Sequence, residues 1–240
     1  MEGWREGLAD AMRSRVLITG ASGALGGSVV RRFLAGDERV LAVVGSNAGD
    51  LAGLAPADRL AVRQVDMGST AEVERLFREE LAAETSPVVA HLVGGFRYGR
   101  LRDLGDEDWS FLMRVNLETT FRVVRECARR FERSGGGALV VVSSPAALLG
   151  EAGVAAYAAA KAGTLRLVEA LAREVAPFGG RANAVLPGTM DTPANRRAMP
   201  DVDPAQWVST EAVAEVIYYL CTPAAAAVNG AAVRVPGPTL

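Results

Sequence analysis

The stretch Val16-Leu17-Ile18-Thr19-Gly20-Ala21-Ser22-Gly23-Ala24-Leu25-Gly26-Gly27 decides the fold. Val16 to Thr19 is a short apolar run of the length a buried strand uses, and Leu25 to Leu34 carries a helical pattern. Between them stand glycines at positions 20, 23 and 26. Gly20 permits a tight turn; Gly23 and Gly26 let backbone approach a pyrophosphate and let the helix pack closely on the sheet. A helix that opens there offers unpaired N–H groups and about half a positive charge. The turn is therefore read as a dinucleotide cradle built by Gly20, Ser22, Gly23, Ala24, Leu25 and Gly26.

The rest of the chain repeats that unit. Strands are expected at 16–19, 40–44, 60–65, 87–93, 138–143, 182–186 and 231–235, and helices at 25–34, 70–83, 106–133, 154–175 and 210–221. Trp109, Leu112, Val115, Val123 and Cys127 form the apolar stripe of the long helix. Alternation of nearly continuous apolar strands with amphipathic helices specifies an α/β fold: a single doubly wound Rossmann domain with a parallel sheet of about seven strands and helices on both faces. Residues 1–14 read as an N-terminal extension and 15–240 as the one catalytic domain, with a substrate lid at about 189–208. That segment holds several prolines and mixed charges and is long for an idle loop.

Composition excludes several partners. The chain has 240 residues and a formal net charge of −2, with no basic block, which argues against nucleic acid or an acidic membrane surface. Met1 to Arg15 is polar, without the apolar core of a secretion signal, and the apolar runs are strand-sized, so a cytoplasmic protein is expected. Cys127 and Cys221 are far apart, lie in helical patterns and read as buried apolar residues. No spacing suggests a metal site.

Chemistry is carried by Val154-Ala155-Ala156-Tyr157-Ala158-Ala159-Ala160-Lys161-Ala162. Four residues is about one helical turn, so the phenol and the ammonium share a face. A positive charge beside a tyrosine favours the phenolate and lowers its pKa from the usual value of roughly 10. Ser144 ends a valine run thirteen residues upstream of the tyrosine.

The ribose end of the dinucleotide is read after the second strand, where an NAD site places a carboxylate. Here Val43-Val44-Gly45-Ser46-Asn47 offers no acid before Asp50, and no Arg or Lys. A 2′-phosphate meets no repulsion there, and Ser46 or Asn47 can donate hydrogen bonds to it, so NADP(H) is favoured over NAD(H). Asp66, just past the third strand and followed by Met67, is placed for the adenine amino group.

Together these residues resemble the short-chain dehydrogenase/reductase family over Arg15 to Val235. Asn116, in Val115-Asn116-Leu117, matches the family's helix asparagine, and Asn183 to Thr192 matches the segment that holds the nicotinamide end. The resemblance implies an oxidoreductase acting on a carbonyl/alcohol pair. Tyr157 is then the general acid or base, Lys161 lowers its pKa and binds the nicotinamide ribose, and Ser144 bonds the substrate oxygen. Asn116 holds a water linking Lys161 to solvent, and Pro187, Gly188, Met190 and Thr192 line the cofactor. A homodimer or homotetramer is implied, through the 106–133 helix and the alanine-rich face of the next. Three departures stand out. Ala24 replaces a glycine of the turn; His91-Leu92-Val93-Gly94 replaces the usual Asn-Asn-Ala-Gly; and the chain ends Pro236-Gly237-Pro238-Thr239-Leu240. Gly94 still lets backbone pass close to the adenosine, and His91 reads as a structural strand-end residue.

Two narrower readings are kept beside this one. Val93 to Phe96 and Leu186 to Pro200, with Trp207, are similar to the quinonoid dihydropteridine reductase branch, although the presence of Ser144 and Asn116 favours a ketone, aldehyde or alcohol over a pterin. A catalytically idle dinucleotide sensor is the other. Phe96, Tyr98, Met190 and Trp207 are candidate apolar walls for the substrate, and Arg196 a candidate for an anion.

Overall fold

The computed structural model describes residues 15–36, 38–51 and 53–238; the extension expected at 1–14 lies outside the described residues. Seven strands form one parallel sheet: β1 Arg15–Thr19, β2 Arg39–Val44, β3 Leu60–Gln64, β4 Val88–His91, β5 Gly137–Val142, β6 Gly180–Pro187 and β7 Ala232–Val235, in the order β3-β2-β1-β4-β5-β6-β7. The helices are α1 Ala24–Ala35, α2 Thr70–Glu80, α3 Asp106–Leu112, α4 Thr119–Ser134, α5 Ala155–Val175, α6 Pro193–Ala198 and α7 Thr210–Cys221.

Side chains alternate across each strand, so the sheet builds two cores. Leu17, Val89, Leu139 and Ala184 join α2, α4 and α5, with Phe77, Phe131 and Leu165 buried there. Val16, Ala90, Val140 and Val185 join α1 and α7 around Phe33 and Ile217. Burying one such large side chain stabilises the fold by about 1.5–3 kcal/mol.

The helix starts are set by local chemistry. Ser69 accepts from Glu72 N (3.4 Å), and the Glu72 carboxylate accepts from Asp66 N (2.8 Å). Ser209 caps α7 by accepting from Ala212 N (3.1 Å). Gly135, at φ 71°, closes α4 in the left-handed conformation.

The order reverses between β1 and β4, because the chain winds outward from β1 in one direction and, from β4 on, in the other. The loops leaving these two strands part and leave a crevice at the sheet's carboxyl edge. The strand expected at 87–93 ends at His91, and Leu92, Val93 and Gly94 line the crevice instead.

One expectation is corrected and one is filled in. The single helix over 106–133 contains a π-helical segment, Met113–Glu118, between α3 and α4. The segment 189–208 is partly ordered by its own bonds: Asp191 N donates to Val208 O (2.8 Å) and Val208 N to Thr189 O (3.0 Å), which ties its ends together. Within it Thr192 caps α6 and Pro193 fills the first helical position, where a missing N–H costs nothing.

Candidate active site

The glycine turn works as its spacing suggests. Gly20 has φ +70°, which a side-chain-bearing residue rarely adopts. A Cβ on Gly26 would lie 2.2 Å from Gly20 O, so this glycine lets α1 sit on the turn. A Cβ on Gly23, the residue ahead of α1, would meet only Gly20 O at 3.4 Å, so its outer side is open. The first turn of α1 carries no acidic residue and no side-chain cap, leaving its N–H groups available to an anion.

That turn forms one wall of a crevice of about 1090 Å³. Gly20, Ser22, Gly23, Ser46, Asp66, Met67 and Gly94 all line it. Leu25 and Gly26 are buried beneath the turn. Asn47, expected beside Ser46, turns its Oδ1 to Gly49 N (2.9 Å). Asp66 Oδ1 accepts from Gly68 N (2.8 Å). Arg75, Val93, Arg114, Val115 and Thr119 also line the crevice and were not foreseen. Helical spacing was the available signal: Arg75 is three residues past Glu72, and Thr119 three past Asn116.

The catalytic candidates converge at the ends of β4 and β5 and on α5. Ser144, just past β5, accepts from Ala146 N (3.2 Å), and its hydroxyl is close enough to the Tyr157 hydroxyl to act against the rise in that phenol's pKa. Phe96 stands edge-on against the Tyr157 ring, centroids 5.1 Å apart. Lys161 is buried; its Nζ donates to Val142 O (3.0 Å) and lies 5.7 Å from the centre of the Tyr157 ring.

The expected effect of the lysine on the phenol is not what the structure shows. Burial holds the Tyr157 hydroxyl above its ordinary pKa, and the Ser144 hydroxyl pulls it back only in part. Lys161 is itself desolvated, which lowers its pKa to about 8. Its ammonium is directed to the Val142 carbonyl, so the phenol feels burial more than it feels the charge.

Asn116 lies fully buried in the π segment. Its Nδ2 donates to Gly95 O (2.9 Å) and Leu112 O (3.0 Å), and its Oδ1 accepts from Gly95 N (3.2 Å). Its carbonyl accepts from the Thr120 hydroxyl at 2.6 Å. The side chain thus staples the loop leaving β4 to the helix. A Cβ on Gly94 would fall 2.9 Å from Asn116 Oδ1 and 3.2 Å from Lys161 Nζ, so that glycine makes room for both groups.

His91 is buried at the end of β4. Its Nδ1 shares a hydrogen bond with Thr19 Oγ1 (2.7 Å), which also accepts from Leu92 N (3.3 Å), while its Nε2 is buried with no partner among the described residues. Burial, with the Lys161 charge adding to it, lowers the imidazole pKa from 6.5 to about 3. Stability linked to this neutral ring is complete above pH 6.5 and is lost as the pH falls through that window toward 3, at about 1.4 kcal/mol per pH unit. His91→Asn is expected to flatten the acid limb of a denaturant-unfolding series between about pH 6 and 4. An unchanged limb would place the acid lability elsewhere.

The remaining candidates separate. Pro187 ends β6, and a Cβ on Gly188 would lie 2.6 Å from Pro236 O, so Gly188 seats the C-terminal segment. Trp207 is buried, only 8% exposed, and Met190 packs against the α1/α7 core, so neither is a free wall. Arg196 is held by Asp191 through two bonds (2.6 and 2.7 Å), which occupies the fork expected to meet an anion. Phe96 and Tyr98 remain exposed beside Tyr157 and Gly153. Among the described residues no His/Cys/Asp/Glu cluster is arranged for a metal and no helix is long and apolar enough to cross a membrane.

The chain is similar to proteins of one family. A family profile described as short chain dehydrogenase matches residues 14–203. The (3R)-3-hydroxyacyl-CoA dehydrogenase of Mus musculus is 31% identical over 96% of this chain and 98% of its own. The 3-oxoacyl-(acyl-carrier-protein) reductase FabG of Escherichia coli is 27% identical over 92% and 95%. A short-chain dehydrogenase/reductase structure from Mycobacterium ulcerans superposes with TM-score 0.85 at 24% identity, over 93% of this chain and 88% of that one. With that match over most of its length, the chain belongs to the short-chain dehydrogenase/reductase family, oxidoreductases acting on CH–OH and C=O groups.

Proposed function

We propose that the protein interconverts a carbonyl and an alcohol with Tyr157 as general acid/base and NADP(H) favoured over NAD(H). The observation that carries this reading is the convergence of Ser144, Tyr157 and Lys161 beside the crevice that the glycine turn opens. The open side of Gly23 and the uncapped first turn of α1 fit a pyrophosphate. When bound, the nicotinamide cofactor supplies or accepts the hydride.

The chain's own residues manage the proton and the charge. The substrate oxygen sits between the hydroxyls of Ser144 and Tyr157, which donate to it as negative charge develops there. A phenol held above its ordinary pKa keeps its proton at neutral pH and so is a competent donor for reduction. Lys161, with a pKa of about 8, is mostly charged at pH 7 and stabilises the phenolate left behind. Asn116 keeps the loop leaving β4 in place, so that Lys161 and Gly94 meet the cofactor in one arrangement.

The preference for NADP(H) rests on the lining at the β2 end. Val43, Val44, Gly45 and Ser46 carry no acid, and Arg75 adds positive charge to the same crevice. Thermal shift tests it directly: NADPH is expected to raise Tm more than NADH at equal concentration. A larger shift with NADH would reverse the preference. 3-Oxoacyl and 3-hydroxyacyl thioesters, the substrates in the names of the mouse and E. coli relatives, head the turnover panel. Residues 189–208 act as a lid over the substrate. A homodimer or homotetramer forms through α4 and α5, whose exposed Phe121 and half-buried Leu167 offer apolar contact.

A further inference from the structure

Two loops rim the mouth of the site, and they carry much of the exposed apolar surface. Residues 94–104, leaving β4, expose Phe96 (58%), Tyr98 (66%) and Leu101 (73%). Residues 145–153, leaving β5, expose Leu148 (52%) and Leu149 (69%). The loops are joined: Gly99 N donates to Gly153 O (2.9 Å), and the Tyr98 ring fills the space where a side chain on Gly153 would stand, 2.2 Å from its Cβ position. The surface begins at the reacting group, because Phe96 packs on Tyr157, and Leu148 stands four residues past Ser144.

Charge narrows the occupant. In Phe96-Arg97-Tyr98-Gly99-Arg100-Leu101-Arg102, apolar and cationic residues interleave. Arg97 is paired with Asp108 and Arg102 with Asp103, while Arg100 has no carboxylate partner among the described residues. A patch of this kind, continuous with a reaction centre, marks a ligand surface.

We propose that this two-loop hood binds an apolar chain of the substrate, an extended acyl or alkyl tail attached to the carbonyl that reaches Tyr157. The proposal rests on the carbonyl/alcohol reading of the site and adds the substrate's class: a chain-bearing amphiphile rather than a compact polar molecule. The aromatic faces of Phe96 and Tyr98 cover the methylenes next to the carbonyl, and Leu101, Leu148 and Leu149 cover those further out. The interleaved arginines exclude a cationic substrate and bury their stems along the same chain.

The test is kcat/KM for a homologous series of 3-oxo esters, from about four to about twelve acyl carbons. Wild type is expected to gain about two- to fourfold per added methylene until the hood is filled, which is the transfer of a half to a whole methylene from water. A double variant, Leu101→Gln with Leu149→Gln, is expected to lose most of that slope. Turnover of the short esters with no dependence on length would overturn the hood while leaving the function intact. No turnover of any ester would instead sink the carbonyl/alcohol reading. A binding measurement without turnover runs beside it: an apolar fluorescent dye bound to wild type should be displaced by the long-chain acid and should bind at least several-fold more weakly to the double variant. Dye binding that falls as the protein self-associates, and that ignores the long-chain acid, would assign the surface to a second copy of the chain and overturn the proposal.

Discussion

Tyr157→Phe is expected to lower kcat/KM by about 10²- to 10⁴-fold, the usual worth of a positioned general acid, while leaving cofactor affinity within a few-fold. The variant removes one hydroxyl and little else. The ring keeps its edge contact with Phe96, and α5 keeps its packing through Ala156, Ala158 and Ala160, all buried. Ser144 keeps its bond from Ala146 N. Steady-state turnover with a reducible ketone, read beside cofactor titration by fluorescence, separates the two effects. Wild-type turnover in the variant would remove Tyr157 from the mechanism.

Lys161→Met is expected to move activity and stability in opposite directions. Activity should fall, because the phenolate loses the Lys161 ammonium, which lies 5.7 Å from the centre of the Tyr157 ring. Stability of the cofactor-free protein should rise, and the sign follows from the ammonium's position. Burial lowers the folded pKa from 10.5 to about 8, so below pH 8 the folded state carries the whole cost of the buried charge, about 3 kcal/mol. That cost is relieved only as the pH climbs from 8 to 10.5. Losing the bond to Val142 O returns roughly 1 kcal/mol of it. The net gain of about 2 kcal/mol at pH 7 corresponds to a Tm increase of roughly 4–8 °C for a chain of this size. The gain should shrink toward pH 10, where wild-type Lys161 is mostly neutral. A lower Tm at pH 7 would show that the ammonium is better solvated than its burial implies. Such opposition is common where a site holds a charge the fold would rather not bury.

The fold was legible because its signals are local and repeated. Val16 to Thr19 and the glycine turn specify one β–turn–α unit, and β-branched runs mark the other strands within a residue or two. Tyr157 and Lys161 were legible because helical spacing alone puts them on one face. The π segment at Asn116 was not. It goes with Asn116 bonding to Gly95 in another part of the chain, a tertiary fact that the local pattern around Asn116 does not show. The balance at Tyr157 was illegible for a similar reason: pattern shows which charges are near, whereas burial depends on everything packed around the ring. From sequence Trp207 and Arg196 look available, because a loop rich in proline usually exposes its side chains. Here the loop's ends are tied by Val208, Trp207 is buried, and Arg196 is taken by Asp191.

His91 shows the same limit from the other side. Its position at a strand end was readable, but its neutrality was not, since that follows from full enclosure and from a charged lysine on the neighbouring helix.

That Tyr157 hands its proton to the substrate oxygen is tested most directly by single-turnover reduction in H₂O and D₂O, with the chemical step made limiting. Slower reduction in D₂O is expected for the wild type, with no such difference in the residual rate of Tyr157→Phe. Equal wild-type rates in the two solvents, or the same ratio in both proteins, would contradict it.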